Sequence, residues 1–464
     1  MTFPAYPNYK STGVEWLSEI PVHWELIRLR FLLLDGAEGI KIGPFGSQLT
    51  SDMLVEVGYK VYGQENVIAG DFDKGRRYIT DEKFSEMSVY EIRPNDLLVT
   101  MMGTAGRCKV VPEAISAGVM DSHLLRMRFG RKADPKFVEL LIDKSNYVSH
   151  QVRLNGKGSI MHGLNSSIIK ELLVALPSAD EQASILSFLD HETARIDALI
   201  EEQQRLIELL KEKRQALISH AVTKGLDPTV PMKDSGVEWL GEVPAHWEVT
   251  KLGWILNELT YGFTNPMPTE DDGPAMLTAN DIGWGTVLYE QARSTSEIAF
   301  REMLTDKSRP KAGDLLLTKD GTLGRVAVHD GRPACINQSV ALIRPDTRIM
   351  SSEFLCSLLQ ASCYQTKMIF DAGGTTIKHI YITILAKMNL AVPSLDEQQA
   401  LLNFISSETC KFDRLTSEAE QVVNLLQERR SALISAAVTG KIDVRGWQPP
   451  ASTQAPELAV AEAV

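Results

Sequence analysis

The chain has 464 residues, of which 44% are hydrophobic and 23% charged, and its formal net charge is −12. This length exceeds what one hydrophobic core usually serves, so two or more globular domains are expected. No apolar run approaches the roughly 18 residues of a membrane span, and residues 1–7 lack the basic start and apolar core of a signal peptide, which predicts a cytoplasmic protein without membrane contact.

The acidic charge is unevenly distributed. Lys and Arg nearly balance Asp and Glu in residues 24–175 and 247–391, and the acidic surplus lies in residues 176–222, in 392–438 and in the connecting segments. The net charge therefore says little about a local binding face.

The cysteines form no Cys-x-x-Cys pair and are odd in number. We interpret them as reduced core residues rather than metal ligands. They are Cys108, Cys335, Cys356, Cys363 and Cys410.

The first element along the chain is an N-terminal module, residues 1–23, that recurs after the middle of the sequence. From Gly13 to Leu29, eleven of seventeen positions are identical to the stretch from Gly236 to Leu252, including Gly-Val-Glu-Trp-Leu and Pro-x-His-Trp-Glu. Shared composition does not produce such identity, so the chain is a tandem duplication that presents two similar surfaces.

The next segment, residues 24–175, repeats more loosely as residues 247–391. Asp96 to Arg107 resembles Asp314 to Arg325, which predicts a buried strand followed by a tight Gly-Thr-x-Gly turn that delivers Arg to a surface. A helix is expected to begin near Asp134 in the first copy. Its counterpart is expected near Ser351 in the second, and the mixture predicts an α+β domain.

A long helix is predicted in residues 176–222 and again in 392–438. Ser178 with Glu181, and Ser394 with Glu397, have the spacing of a capping box. The apolar residues that follow have heptad spacing, which indicates a seam for a partner helix. They are Leu189, Ile196, Leu199, Leu206, Leu210 and Leu217 in the first helix, and Ile405, Phe412, Leu415, Val422, Leu426 and Leu433 in the second.

A breaker-rich linker and the repeated module, residues 223–246, separate the first long helix from the second copy. If the second helix returns along the first, both seams are buried, so we predict an antiparallel coiled-coil pair between two globular domains. Two independent helices that recruit separate partners are the alternative. The remaining residues, 439–464, are predicted to be a flexible tail.

Common catalytic motifs are missing from the sequence, including the phosphate-binding loop, the His-Glu-x-x-His zinc pair and the nucleophile elbow. The sequence therefore offers no recognisable active site and no recognisable metal site. The glycine-rich turns could hold phosphates through backbone amides, but a purely structural turn is the more common meaning of such a motif.

The two copies differ most in their polar loops. Residues 42–48 differ from residues 261–265, and residues 62–66 differ from residues 278–281, and these loops contain amide and hydroxyl side chains able to contact base edges. Two domains with one scaffold and different polar loops would read two different sequences.

These features together closely resemble the specificity subunit of a Type I DNA restriction-modification enzyme. The resemblance covers nearly the whole chain and rests on the twice-used Gly-Val-Glu-Trp-Leu module, the segment Gly43 to Leu49, the Gly-Thr-x-Gly-Arg turns and Pro-Ser-x-Asp-Glu-Gln before each long helix. It implies an α+β fold with two pseudo-symmetric target recognition domains joined by two long antiparallel helices. Each domain would read half of a split DNA site.

The resemblance also implies that the chain is not itself catalytic and holds no cofactor, and it implies the partners of the chain. These are double-stranded DNA, two methyltransferase subunits that use S-adenosylmethionine, and restriction subunits that use ATP and Mg. Two alternatives remain open: a fused modification enzyme with an unrecognised active site, and an adaptor that binds DNA without sequence preference.

The candidate DNA-binding residues lie in the divergent loops, in the glycine turns and at nearby basic positions. In the first domain they are Lys41, Gln48, Tyr62, Gln64, Arg76, Arg77, Arg107 and Lys157. In the second they are Asn265, Asn280, Lys319, Arg325, Asn337, Gln338 and Lys378. The predicted partner-helix interface adds Ile200 and Ile207 to the heptad residues above, and these two either widen the seam or contact helices of the methyltransferases.

Overall fold

The computed structural model describes residues 3–14, 16–102, 106–145, 147–148, 150–151, 166–374 and 378–448. The chain divides into two compact units: the first contains the residues up to Glu202 together with those from Val422 onward, and the second is Gln203–Gln421. Within the described ranges, no helix is both long enough and apolar enough to cross a membrane.

The first unit contains eleven strands and four short helices in its described part. The strands are β1 Tyr9–Val14, β2 Leu17–Pro21, β3 Glu25–Arg28, β4 Ile40–Ile42, β5 Tyr59–Tyr62, β6 Tyr78–Ile79, β7 Leu97–Thr100, β8 Cys108–Val110, β9 Gly118–Met120, β10 Leu124–Met127 and β11 Leu173–Leu176. The helices are α1 Gln64–Ala69, α2 Asp81–Glu86, α3 Pro135–Lys144 and α4 Ser166–Glu171, and the long helix α5 Ala179–Lys224 begins in this unit.

The second unit repeats this arrangement. Its strands are β12 Met232–Asp234, β13 Glu242–Pro244, β14 Glu248–Lys251, β15 Leu256–Tyr261, β16 Glu270–Leu277, β17 Arg293–Ser294, β18 Leu315–Thr318, β19 Val326–Val328, β20 Ala334–Ile336, β21 Val340–Pro345 and β22 Asn389–Val392. Its helices are α6 Glu297–Glu302, α7 Ser352–Gln360, α8 Ser362–Asp371 and α9 Ile382–Leu385, followed by the long helix α10 Leu395–Val438.

The sheets of the two units have the same topology. A four-stranded antiparallel sheet has the order β4-β10-β7-β8 in the first unit and β15-β21-β18-β19 in the second. A three-stranded sheet has the order β6-β5-β9 and β17-β16-β20, with one parallel pair in each. The tandem duplication predicted from the sequence is therefore a duplication of the α+β fold.

Matching side chains hold the helices against the larger sheets. Phe137, Leu141 and Tyr147 are buried in the core of the first unit, and their counterparts Phe354, Leu358 and Tyr364 are buried in the second. Asp134 and Ser351 cap α3 and α7, as predicted, by accepting hydrogen bonds from backbone amides of the first turn. The period of the apolar residues was sufficient to place these helices.

An arginine stabilises each larger sheet in the same way, although Arg128 is buried and Arg344 is half-buried. In the first unit, Arg128 Nε lies 2.6 Å from Asp96 Oδ1, and in the second, Arg344 Nη2 lies 2.6 Å from Asp314 Oδ2. The residue before each aspartate has a left-handed backbone, φ 67° at Asn95 and 87° at Gly313. Asn tolerates this conformation better than most other residues with a side chain, so the Asn for Gly difference preserves the turn.

The predicted capping box is half correct. Ser178 Oγ and Ser394 Oγ each accept a hydrogen bond from the amide three residues later, at 3.3 Å. The carboxylate of Glu181, however, accepts hydrogen bonds from Trp24 Nε1 at 3.1 Å and from the Tyr6 hydroxyl at 2.6 Å. The prediction that this carboxylate accepts from an amide at the helix N-terminus was wrong, because it accepts from the buried donors of Tyr6 and Trp24 instead.

The second copy repeats this contact. Glu397 lies 2.8 Å from His246 Nε2 and accepts a hydrogen bond from Trp247 Nε1 at 2.9 Å, as Glu181 lies 2.9 Å from His23 Nε2. The repeated His-Trp and Asp-Glu-Gln motifs therefore join each module to the start of its long helix, which explains why they return together.

The glutamine of each Asp-Glu-Gln motif is fully buried and joins the long helix to the preceding short helix. Gln182 Oε1 accepts from the Asp134 amide at 2.8 Å, and Gln398 Oε1 accepts from the Ser351 amide at 2.9 Å. The Nε2 groups donate to carbonyl oxygens of the same two loops. The motif is thus a structural joint in both copies.

The two long helices pair antiparallel, as predicted. In the first unit the start of α5 packs with the end of α10, where Arg430 Nε lies 2.8 Å from Asp197 Oδ1. In the second unit the end of α5 packs with the start of α10, where Arg214 Nε lies 2.8 Å from Asp413 Oδ1.

The predicted seam is shifted by one residue in the middle of α5. Ile207 is buried and Ile200 is half-buried, whereas Leu199 and Leu206 are exposed together with Leu209. On α10, Leu415, Val422 and Leu425 are exposed, and Ala419 and Val423 are buried instead. The chain therefore uses the seven-residue period but leaves a second apolar stripe uncovered on each helix.

The cysteines are all free thiols. Cys108, Cys335 and Cys356 are buried and Cys363 is half-buried, as expected of core residues, but Cys410 is exposed on α10. Burial raises the pKa of the Cys335 thiol to about 12, so this thiol stays protonated. Among the described residues no group of three or more His, Cys, Asp or Glu side chains has the geometry of a metal site.

Candidate nucleic-acid interface

The Gly-Thr-x-Gly-Arg turns are held by the threonine that ends each preceding strand. Thr100 Oγ1 accepts from the Arg107 amide at 3.1 Å, and Thr318 Oγ1 accepts from the Arg325 amide at 2.9 Å. The threonine amides in turn donate to the carbonyl oxygens of the same arginines at 2.8 Å. These contacts support a structural role of the threonine and of the arginine backbone at each turn.

Arg107 lies against helices rather than against the polar loops. Its Nε is 2.7 Å from Asp143 Oδ1 on α3, beside a cavity that Lys109 and Asp190 also line. Arg325 is half-buried, with no ion pair among the described residues. The two arginines thus have the same backbone position but different surroundings.

The other candidates of the first unit form two small groups. Tyr90 joins Lys41 and Gln48, since its hydroxyl donates to Gln48 Oε1 at 3.0 Å and Lys41 Nζ lies 5.3 Å from its ring centre. Gln64 and Arg77 lie near residues 121–123. Arg77 Nη1 donates to Asp121 Oδ2 at 3.2 Å, and Gln64 Nε2 donates to the neighbouring Met102 carbonyl at 3.1 Å.

Three further candidates of the first unit lie outside these groups. Arg76 is exposed. Tyr62 is fully buried, and its hydroxyl donates to the Ser116 carbonyl at 2.7 Å. Burial raises the pKa of Tyr62 to about 12. The Tyr62 side chain therefore has no surface to offer a ligand. Lys157 lies outside the described residues.

The candidates of the second unit converge on two adjoining cavities. Asn280 and Asn337 line a cavity of about 570 Å³, together with Gln291 and Arg293. Asn265 lines a second cavity, and Phe263 and Met267 line both.

Three remaining candidates of the second unit do not line these cavities. Gln338 is exposed, and its amide donates to the Phe263 carbonyl at 2.8 Å. Lys319 is largely buried, with Nζ 2.9 Å from Asp320 Oδ2 and 5.3 Å from the centre of the Tyr261 ring. Lys378 is exposed, and its carbonyl accepts from the Gly321 amide at 3.2 Å.

Two cavity residues escaped the sequence reasoning. Arg293 and Gln291 lie in a stretch that has no Gly-rich turn and no visible repeat with the first copy, so only the strand register identifies them. The cavity combines amide, hydroxyl and guanidinium groups with apolar side chains. Such a surface offers both donors and acceptors, as recognition of base edges requires.

A family model described as the Type I restriction modification DNA specificity domain matches residues 291–424. The specificity subunit of the Escherichia coli Type I enzyme EcoBI is 23% identical over 305 residues, and the match covers 64% of each chain. The match thus spans slightly less than two thirds of the length of that relative. A putative Type I specificity subunit MjaX of Methanocaldococcus jannaschii is 22% identical over 94% of this chain and 97% of its own.

Two solved structures share the fold at 15% sequence identity. The HsdS subunit from Thermoanaerobacter tengcongensis has a TM-score of 0.52 and matches 93% of this chain and 100% of its own. A chain from a structure that describes complex assembly of a type I R-M system has a TM-score of 0.64, with 91% and 99% covered.

By the family model and the relatives, this chain is similar to the specificity (S) subunits of Type I restriction-modification enzymes, and it shares their fold.

Proposed function

We propose that the chain gives a Type I restriction-modification complex its DNA specificity, with each recognition domain reading one half of a bipartite site in the major groove. One observation carries the proposal. The two copies keep the same scaffold contacts, including Trp24 with Glu181 and Trp247 with Glu397, while the residues that line their polar loops differ. A duplicated scaffold with divergent loops suits an asymmetric target.

In this proposal the loop side chains contact base edges, and the nearby basic residues hold phosphates. Base contacts specify the sequence, whereas phosphate contacts position the protein. In the first domain the loop set is Lys41, Gln48, Gln64 and Arg76, and Arg77, which Glu65 and Asp121 hold, has a positioning role. In the second it is Asn265, Asn280, Asn337 and Gln338, with Lys378 as a phosphate contact.

The antiparallel helices would set the unread spacer and dock two methyltransferase subunits. The uncovered stripe supports this role, because Leu206 and Leu209 on α5, and Val422 and Leu425 on α10, remain exposed after the two helices have paired. Exposed apolar side chains in regular rows are a common feature of interaction surfaces. S-adenosylmethionine, ATP and Mg would be bound by the partner subunits, and the complex would act on DNA in the cytoplasm.

The test is an exchange of the first recognition domain. Residues 24–175 are replaced by the corresponding domain of a relative, and methylated adenines are mapped genome-wide in cells that express the methyltransferase subunits. One half of the methylated motif should change and the other should stay. A motif in which both halves change, or neither, would contradict the modular assignment.

The fused-enzyme alternative and the adaptor alternative have their own tests. Methyl transfer or cleavage by the purified chain alone would favour a fused enzyme. Equal affinity of the complex for random duplexes and for the methylated motif would favour an adaptor without sequence preference.

A further inference from the structure

The two units contain one equivalent cluster of polar residues, identified by strand register. Lys60 pairs with Tyr78 in the first unit as Ala275 pairs with Ser294 in the second. The parallel strands match as well, because Lys60 pairs with Gly118 on β9 as Ala275 pairs with Ala334 on β20. The equivalent pairs are Arg77 and Arg293, Glu65 and Asn280, Asp121 and Asn337, and Gly63 and Thr278.

In the first unit the cluster is closed by ion pairs. Arg77 Nη2 lies 2.7 Å from Glu65 Oε1 and 3.1 Å from Asp121 Oδ2. The guanidinium lies against Gly63, where a Cβ atom would collide with Arg77 and with both carboxylates. The first copy therefore neutralises its arginine, and the glycine makes room for this arrangement.

In the second unit the same cluster is open. Asparagines replace both carboxylates, and no described acidic side chain lies within ion-pair distance of Arg293. Thr278 replaces the glycine, and its Oγ1 donates to Asp281 Oδ2 at 2.7 Å. Arg293 is exposed and lines the 570 Å³ cavity beside Asn280.

The charge difference matters for ligand binding. An arginine held by two carboxylates would have to give up those ion pairs before it could donate to a new acceptor. Arg293 has no such cost, and its guanidinium has five N–H donors in a planar fork. An arginine that donates two hydrogen bonds to O6 and N7 of guanine is the most common specific contact in protein–DNA complexes.

We propose that Arg293 is a specificity-determining residue that reads a guanine in the half-site of the second domain. This inference rests on the proposed function and names one contact within it. Asn280 and Asn337 line the same cavity as Arg293 without a charge, and Asp281, the acidic residue of the lining, is buried and accepts from Thr278 Oγ1. Arg77, the equivalent residue of the first domain, then has a positioning role, because Glu65 and Asp121 already hold it.

The test compares Arg293→Gln and Arg293→Lys with the control Arg348→Gln in the full chain. Arg348 is exposed, pairs with Asp346 and does not line the cavity, so its loss removes the same charge elsewhere in the unit. Methylated adenines are mapped genome-wide with the methyltransferase subunits present. Both Arg293 variants should relax one guanine position of one half-site by about 5- to 150-fold, and the control should leave the motif unchanged.

A second set of variants tests the charge argument. Asn280→Glu with Asn337→Asp and Thr278→Gly recreates the closed cluster in the second unit while Arg293 is still present. Circular dichroism shows whether this variant folds, and its motif should relax at the same position. A variant that folds and keeps full discrimination there would overturn the assignment.

Two further outcomes separate the possible failures. An intact motif with uniformly weaker methylation in Arg293→Gln would make Arg293 a phosphate contact and refute guanine reading. If exchange of residues 247–391 changes one half-site but Arg293→Gln and Arg293→Lys change nothing, only the Arg293 assignment fails. If the exchange also changes nothing, the proposed function itself fails.

Discussion

Glu181 gives a quantitative test of the joint between the N-terminal module and the first long helix. Its carboxylate is 5% exposed and accepts hydrogen bonds from two largely buried donors, Trp24 Nε1 and the Tyr6 hydroxyl. A hydrogen bond to a charged group contributes about 1.5–3 kcal/mol to stability. Glu181→Ala should therefore lower the free energy of unfolding of the first unit by about 3–6 kcal/mol.

The second copy offers a matched comparison with one buried donor fewer. Glu397 accepts from Trp247 Nε1 and contacts His246, but no tyrosine corresponds to Tyr6. The histidines are about half exposed in both copies and contribute little to the difference. Glu397→Ala should therefore cost about 1.5–3 kcal/mol less than Glu181→Ala from the missing Tyr6 hydrogen bond alone, and less again because the Glu397 side chain is 28% exposed against 5% for Glu181.

The assay is urea unfolding of the full chain by far-UV circular dichroism, with hydrogen exchange by mass spectrometry to localise the change to residues 3–25. Asp180→Asn is the control, because Asp180 is an exposed carboxylate in the same helical turn and its loss affects only the helix dipole, at about 0.3–1 kcal/mol. Tyr6→Phe should account for part of the excess of Glu181→Ala over Glu397→Ala. Equal losses at Glu181 and Glu397, or a loss at Glu181 no larger than at Asp180, would refute the reasoning.

Three further predictions concern the helices, a turn and a buried histidine. Ile207→Ala should destabilise the second unit by about 2–5 kcal/mol in urea unfolding, because Ile207 is buried. Leu206→Ala should change stability by less than about 0.5 kcal/mol and should instead weaken co-purification of methyltransferase subunits. A larger loss of stability in Leu206→Ala than in Ile207→Ala would restore the predicted seam. Asn95→Gly should be nearly neutral and Asn95→Val should cost about 1–2 kcal/mol, because only the latter strains the left-handed backbone; equal melting temperatures of the two would contradict this. Burial lowers the pKa of His329, so on acidification the unfolded chain binds a proton at this residue before the folded chain does. The free energy of unfolding should therefore fall as the pH drops below about 6.5, by at most about 1.4 kcal/mol per pH unit. His329→Gln should reduce this slope, and an unchanged slope would exclude His329 as its source.

Local patterns predicted the elements but not always their partners. The spacing of Ser178 and Glu181 located the helix start, yet the acceptor role of Glu181 depends on Trp24, which is distant in sequence. The heptad period located both long helices, but Leu206 and Ile207 are equally apolar, and only the packing of the pair decides which of them is buried. Tyr62 looked like a loop residue because of the Gly that follows it, and the strand it ends carries it into the core.

The candidate site was harder to predict than the fold, because its equivalent residues in the two copies are matched by strand pairing and not by sequence similarity. Arg77 and Arg293 occupy equivalent positions, but the sequences around them do not align by eye, and their partners lie on two other segments of each unit. The sequence does contain the signal once the register is known, since Gly63 against Thr278 decides whether a guanidinium fits over the backbone.

The shared scaffold explains how the loops can differ without loss of the fold. Each larger sheet is fixed by its own ion pair, the buried Arg128 with Asp96 and the half-buried Arg344 with Asp314, and neither pair involves a loop of the candidate interface. Removing one partner of a buried pair such as Arg128 with Asp96 costs about 3–5 kcal/mol, whereas exposed loop substitutions usually stay within about 0.5 kcal/mol. Substitutions in the cavity around Arg293 can therefore accumulate at little cost in stability, and stability places almost no constraint on which base the second domain reads.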